Sequence, residues 1–234
     1  MSKGKINVSV ENIFPLIKKF LYSDHEIFLR ELISNATDAT LKLKHLSNLG
    51  EPTGEVGDLI IEIKLDKENK TLHIIDQGIG MSSEEVEKYI NQVAFSGAEE
   101  FLEQYKDSAA DSGIIGHFGL GFYSAFMVAD KVILHTQKAG EETGTLWEST
   151  GDGEYTVEDK VRTEGNGTTI IMFLKKLEDE KEDQDFSQEW VIKQIVKKYS
   201  DFIEYPVKME TSKEEPELDA DEKPIEGKTK TVVT

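Results

Sequence analysis

The residues best suited to chemistry lie on one short stretch. In Ile27-Phe28-Leu29-Arg30-Glu31-Leu32-Ile33-Ser34-Asn35-Ala36-Thr37-Asp38-Ala39, the polar side chains Glu31, Asn35 and Asp38 recur at helical spacing. At roughly 100° per residue they fall within about 60° of one another, beside a stripe of Phe28, Leu32, Ala36, Ala39 and Leu43. A solvated face would set Lys or Arg four residues from its acids, but Glu31 is followed by Asn35, which ligates a cation without neutralising a carboxylate. An acid beside a carboxamide suits metal or water positioning. Two further stretches carry chemical potential. Asp76-Gln77-Gly78-Ile79-Gly80-Met81 sets a carboxylate before two glycines, which fits recognition of a polar ring and fits a plain turn equally well. Between Ser112 and Phe126, the glycines at 113, 116, 119 and 121 precede a short apolar helix, where free backbone N–H groups and the helix dipole favour phosphate. No Gly-Lys-Ser/Thr follows, so this is not a Walker A loop, and a glycine hinge has the same composition.

The elements that must position these groups follow from periodicity. Ser23 and Glu26 have the spacing of a capping box, which predicts a helix from Ser23 to about Ser47, preceded by a helix over Asn12–Tyr22 and an edge strand over residues 6 to 10. Glu51–Gly57, with Pro52, Gly54 and Gly57, reads as a loop. Leu59–Leu65 and Thr71–Ile75 form a predicted hairpin that ends at Asp76. Helices are expected over Ser83–Gln92 and Ala98–Lys106. Strands are expected over Lys131–Gln137, Thr145–Thr150, Glu154–Glu158 and Thr168–Lys175, joined by short turns into an antiparallel meander. Glu178–Asp185 reads as exposed, Phe186–Ile203 as a helix spaced by Trp190, Ile195, Tyr199 and Phe202, and Pro206–Met209 as a last strand. From Thr211 onward acids, Lys, Pro216 and Pro224 dominate, which predicts a disordered charged tether.

Composition narrows the function. At 234 residues and 38% hydrophobic, the chain can bury a sizeable core. A formal net charge of −19 disfavours phosphate backbones, so nucleic acid is not expected as a partner. The absence of cysteine excludes disulfides, thiolate metal sites and cysteine nucleophiles, and the five histidines are too scattered for a local metal motif. No apolar run reaches the ~18 residues of a membrane span, and the first residues lack the apolar core of a secretory leader. A cytoplasmic protein is therefore expected. The sequons at Asn35, Asn69 and Asn166 read as coincidence.

Taken in order, the Ile27–Ala39 run, Asp76–Met81, Gly116-His117-Phe118-Gly119-Leu120-Gly121-Phe122-Tyr123-Ser124 and Gly167-Thr168-Thr169 closely resemble the ATP-binding domain of the ninety-kilodalton heat-shock chaperones. The resemblance covers about residues 6 to 210. Gyrase B subunits, MutL-type repair proteins and sensor histidine kinases share only the sparser Glu/Asn, Asp-x-Gly-x-Gly and glycine-loop skeleton. The resemblance implies an α+β fold, a two-layer α/β sandwich of the Bergerat (GHKL) type, with a mostly antiparallel twisted sheet and helices on one face. It divides the chain into a nucleotide-binding domain over 1–210 and a charged linker over 211–234 that leads toward a middle domain.

Carried over residue by residue, the resemblance implies that Glu31 is the general base and Asn35 the Mg2+ ligand, with Asp38 lining the same pocket. It implies that Asp76 accepts the adenine amino hydrogen, assisted through water by Gly80 and Thr168. An acceptor-only carboxylate would select adenine because guanine offers a carbonyl at that ring position. Met81, Ile90 and Phe122 match the apolar walls. Gly116, His117, Phe118, Gly119, Leu120 and Gly121 match the loop on the terminal phosphates, and residues 91 to 122, including Ser96 and Gly97, match a mobile lid. The lid departs from the family pattern: Asn91-Gln92-Val93-Ala94-Phe95-Ser96-Gly97-Ala98 lacks the usual lysine, and Tyr89 stands where an asparagine touches nucleotide. The implied ligands are ATP or ADP with Mg2+. The implied partners are unfolded or partly folded client proteins, in a full-length homodimer whose isolated domain is monomeric and hydrolyses ATP slowly. A DNA-acting ATPase module, or a nucleotide-binding module without turnover, are the alternative readings.

Overall fold

Strict alternation of large apolar residues along four segments builds the centre of a seven-stranded sheet. The structure, a computed structural model, describes residues 25–54, 56–92, 121–176, 185–199, 203–218 and 224–233, with the backbone alone from 212 onward. The expected strand at 6 to 10, the helices Asn12–Tyr22 and Ala98–Lys106, Ser23, and residues 93–120 and 178–184 lie outside them.

The described elements are α1 (Ile27–Asn48), β1 (Ile61–Asp66), β2 (Thr71–Asp76), α2 (Ser83–Tyr89), a 3₁₀ helix (Gly121–Met127), β3 (Ala129–Gln137), β4 (Gly144–Ser149), β5 (Thr156–Asp159), β6 (Gly167–Leu174), α3 (Glu189–Tyr199), β7 (Val207–Met209), β8 (Ser212–Leu218) and β9 (Pro224–Val233). The main sheet runs β5-β4-β3-β6-β2-β1-β7. All its pairs are antiparallel except β1 with β7. The predicted meander holds for β3, β4 and β5, whereas β6 leaves it and inserts between β3 and β2. β8 and β9 form a separate antiparallel ribbon, where composition alone carried no strand period.

Cross-strand register sorts the inward face into rows. Ile63, Ile74, Ile170, Leu134 and Trp147 align across β1, β2, β6, β3 and β4, and all are buried. Two residues along, the next inward row reads Ile61, Asp76, Thr168, Thr136 and Thr145. The core face thus turns from apolar to polar in one step of the pleat. Phe28, Leu29, Leu32, Ile33 and Ala36 of α1 cover the apolar rows, together with Val191, Ile192 and Ile195 of α3 and Phe122, Ala125 and Phe126 of the 3₁₀ helix. Helices therefore lie on one face, as a two-layer α+β sandwich requires. On the opposite face His73, Ile75, Ile133, His135, Leu146, Thr169 and Ile171 line a shallow groove.

Two local expectations are corrected. The N-cap of α1 is Glu26 rather than Ser23: it has helical dihedrals and makes no side-chain cap, and its carboxylate accepts from Lys198 Nζ at 2.6 Å. A complete capping box is found at α2, between Ser82 and Glu85. Trp190 is 43% exposed, because α3 turns Val191, Ile192 and Ile195 inward and leaves the indole about 100° away from that face.

Candidate functional site

Asp76 closes β2 with its carboxylate turned into the polar row, where it is 6% exposed. The carboxylate accepts the Gly78 N–H at 2.9 Å, and Thr168 lies opposite it on β6. Burial pushes its pKa up to about 6, against the opposing influence of the Gly78 N–H, the Arg162 guanidinium and the Thr168 N–H. Thr136, fully buried on β3, links the neighbouring parts: its Oγ1 accepts the Met81 N–H at 3.0 Å, donates to the Gly167 carbonyl at 3.1 Å and lies 3.0 Å from Thr168 Oγ1.

The loop after Asp76 is held by backbone contacts as close as atoms allow. Gly80 has φ +64°, and a Cβ there would lie 1.9 Å from the Gln137 carbonyl oxygen, so no other residue fits. The Ile79 N–H donates to the Ala39 carbonyl at 3.0 Å, which ties this loop to α1 one residue beyond Asp38. Asp38 itself is 5% exposed. Lys42, one turn further on, has its pKa lowered by burial, opposed by Asp38 and Glu85.

Two turns toward its N-terminus, α1 presents Glu31 and Asn35 to the start of the 3₁₀ helix. A Cβ added at Gly121 would meet Glu31 Oε2 at 2.9 Å and Asn35 Nδ2 at 3.5 Å. Glycine at 121 is thus what lets the end of the glycine loop approach both side chains. Glu31 Oε1 accepts from the neighbouring Arg30 at 2.7 Å, and the pair is partly exposed. Both Glu31 oxygens and the Asn35 amide oxygen are hard donors of the kind Mg2+ takes in small number alongside phosphates and water. Among the described residues no group of three His, Cys, Asp or Glu converges, so a cation here would lean on ligand oxygens.

The structure brings Asp76, Gly80, Met81 and Thr168 together through the polar row, and Glu31 and Asn35 together at Gly121; α1 spans the two groups. Ile90 and Phe122 are buried in the shared core with Met81 packed against it, and the Tyr123 hydroxyl donates to the Ile90 carbonyl. Ser96, Gly97, Gly116, His117, Phe118, Gly119 and Leu120 lie outside the described residues. Sequence reasoning overlooked Thr136, although an inward threonine after Val132 and Leu134 in an alternating strand is a legible signal. It also overlooked Asn166, whose amide donates to the Gln77 and Gly78 carbonyls at 3.2 and 2.8 Å, and Arg162. Both sit in a polar turn with no periodicity to mark them.

The chain matches the family model described as histidine kinase-, DNA gyrase B-, and HSP90-like ATPase over residues 22–160, and that described as Hsp90 protein over residues 185–232. It is 50% identical over 215 residues to the chaperone protein HtpG of Bacteroides thetaiotaomicron, covering 92% of this chain and 30% of that protein. It is 50% identical over 206 residues to HtpG of Porphyromonas gingivalis, covering 88% and 29%. The HtpG of Bdellovibrio bacteriovorus is 48% identical over 216 residues, covering 92% and 34%. The chain spans about a third of the length of these curated relatives.

Proposed function

We propose, from the premise that this chain belongs to the histidine kinase-, DNA gyrase B- and HSP90-like ATPase family, that it is the ATP-binding domain of an HtpG-type chaperone and hydrolyses ATP slowly. The observation that carries this reading is the buried Asp76 carboxylate at the polar end of an otherwise apolar sheet face, in a chain half identical to chaperones over nearly its whole length. A buried carboxylate that accepts one backbone N–H keeps acceptor capacity for an exocyclic amine. In this reading Asp76 takes the adenine amino group, Thr168 and Gly80 order the adjoining water, and Met81, Ile90 and Phe122 flank the base and sugar.

Nearer the N-terminus of α1, Glu31 orients the attacking water and takes its proton, and the Asn35 amide oxygen would hold Mg2+. Bound Mg2+ would neutralise charge on the phosphate oxygens. The loop through Gly121 holds the terminal phosphates, with Ser96, Gly97 and residues 116–120 closing over them. Client proteins, a homodimer in the longer protein, a linker beyond residue 210 and a cytoplasmic location complete the proposal. Among the described residues no helix is long and apolar enough to cross a membrane. The net charge of −19 opposes the DNA-acting alternative.

The deciding experiment is a pair of measurements on Glu31→Ala: calorimetric titration with ADP and Mg2+, and ATP turnover. ADP affinity is expected within about threefold of wild type while turnover falls at least about 100-fold. Unchanged turnover, or a tenfold loss of ADP affinity, would overturn the assignment.

A further inference from the structure

Arg162 lies in the connection from β5 to β6 and belongs to none of the motifs that carry the resemblance. It is nevertheless among the most buried large side chains of the molecule, 2% exposed. Its guanidinium donates five times: Nη1 to the Gly165 carbonyl at 3.1 Å and the Asn166 carbonyl at 2.7 Å, Nη2 to the Asp76 carbonyl at 3.2 Å and Thr169 Oγ1 at 3.1 Å, and Nε to Thr169 Oγ1 at 3.3 Å. Its own N–H donates to Gln137 Oε1 at 2.9 Å. Among the described residues every acceptor of the guanidinium is a neutral oxygen. A cation buried without a direct carboxylate partner is an expensive way to stabilise a turn, since apolar packing of equal volume does as well or better. The charge itself therefore calls for an explanation.

We infer that Arg162 is a positioning residue of the nucleotide site: its planar fork joins the end of β2 to the turn that presents Thr168, and its charge holds the Asp76 carboxylate in the anionic form that accepts from the base. This rests on the reading of Asp76 given above. The fork suits the task because one rigid plane reaches the Asp76 backbone, the Gly165–Asn166 turn and Thr169 at once, which a lysine's point charge does not. Among the described residues, Arg162 is the cation that acts on Asp76. β1 offers Ile61 opposite, β6 offers Thr168, and β3 offers Thr136 and Gln137, none of which titrates near neutrality. α1 contributes Asp38 and Lys42, which act on each other. The β5–β6 connection adds Glu164, whose charge acts on Arg162. The carboxyl value near 6 is what remains after the guanidinium has opposed burial; without that charge it moves further up.

The test is the pH dependence of ADP binding by the whole chain from pH 5 to 8, together with a carbon-13 titration of the Asp76 carboxyl without nucleotide. In the wild type, protonation of Asp76 competes with binding, so affinity falls about tenfold between pH 7 and pH 5. In Arg162→Met the midpoint of both curves moves up by about one pH unit or more. Arg162→Lys keeps the charge and loses the fork, so its midpoint stays near that of wild type while affinity drops several-fold at every pH. Should Arg162→Met fail to fold, Arg162→Gln carries the same comparison. A role confined to holding the turn would lower thermal stability and leave the Asp76 midpoint where it was, and that result overturns the inference. Because the carboxyl titration needs no nucleotide, this failure is separable from failure of the site reading, which would show as wild-type ADP binding by Asp76→Asn.

Discussion

The two ends of the candidate site, one at the middle of α1 and one near its N-terminus, are built on opposite principles. At the Asp76 end the polar groups are buried, hydrogen-bonded and spaced by strand register: Asp76, Thr168 and Thr136 sit side by side because β2, β6 and β3 are neighbours in that order. At the Glu31 end the side chains project from a helix into partly exposed surroundings, and the fixed contact nearby is the close approach of Gly121. Low dielectric and fixed donors make the first end selective before any ligand arrives. The second end keeps freedom to adjust as phosphates and water enter. In the proposed function, recognition belongs to the sheet and reactivity to the helix.

The sharpest way to break this contrast is Asp76→Asn. It replaces an acceptor-only group by one that donates, and ADP affinity is expected to fall by at least about 100-fold, roughly 3 kcal/mol. The same change should stabilise the fold. The folded carboxyl value of about 6 lies above the ~3.9 of an unfolded aspartate, so the native state binds the extra proton between those values and loses stability as pH rises through that window. At pH 7 the penalty is fully present, and removing it should raise stability by about 1–3 kcal/mol, with little gain below pH 4. Chemical denaturation at the two pH values, beside calorimetry, checks both halves. A variant that binds normally, or is destabilised at pH 7, would erase the distinction between the two ends.

A smaller effect sharpens it. Thr136→Val keeps the shape but leaves the Met81 N–H without its acceptor and takes a donor from the Gly167 carbonyl. A cost of about 1–3 kcal/mol in stability is expected, with a several-fold loss of ADP affinity through the displaced Thr168. Smallest is Arg30→Ala, which removes the exposed partner of Glu31. Stability should change by less than about 0.5 kcal/mol, and turnover by less than about threefold. A loss above about 1 kcal/mol would mean that the helix end is as rigidly specified as the sheet end.

How far the sequence alone carried these conclusions differs between the same two ends. Glu31, Asn35 and Asp38 were legible because a helix is a local object: 3.6 residues per turn put them on one edge whatever the rest of the chain does. The β1–β2 hairpin and the alternation in β3, β4 and β6 were legible for the same reason, each strand's signal being contained in fewer than ten residues. The helix start expected at Ser23 gave way to an N-cap at Glu26, whose carboxylate pairs with the distant Lys198, and Trp190 failed where spacing alone did not say which flank of α3 would face the core.

By itself, then, the sequence determined the elements, the apolar faces and the order of the motifs, since these depend on short-range geometry and composition. Only tertiary structure decided that β6 returns between β2 and β3, which sets Thr168 beside Asp76 and Thr136. It alone buried Arg162 beside that row, 86 residues along the chain from Asp76. Strand order is a choice among packings that bury similar apolar area, settled by the sum of many weak contacts far apart in sequence, and no short window of residues records it.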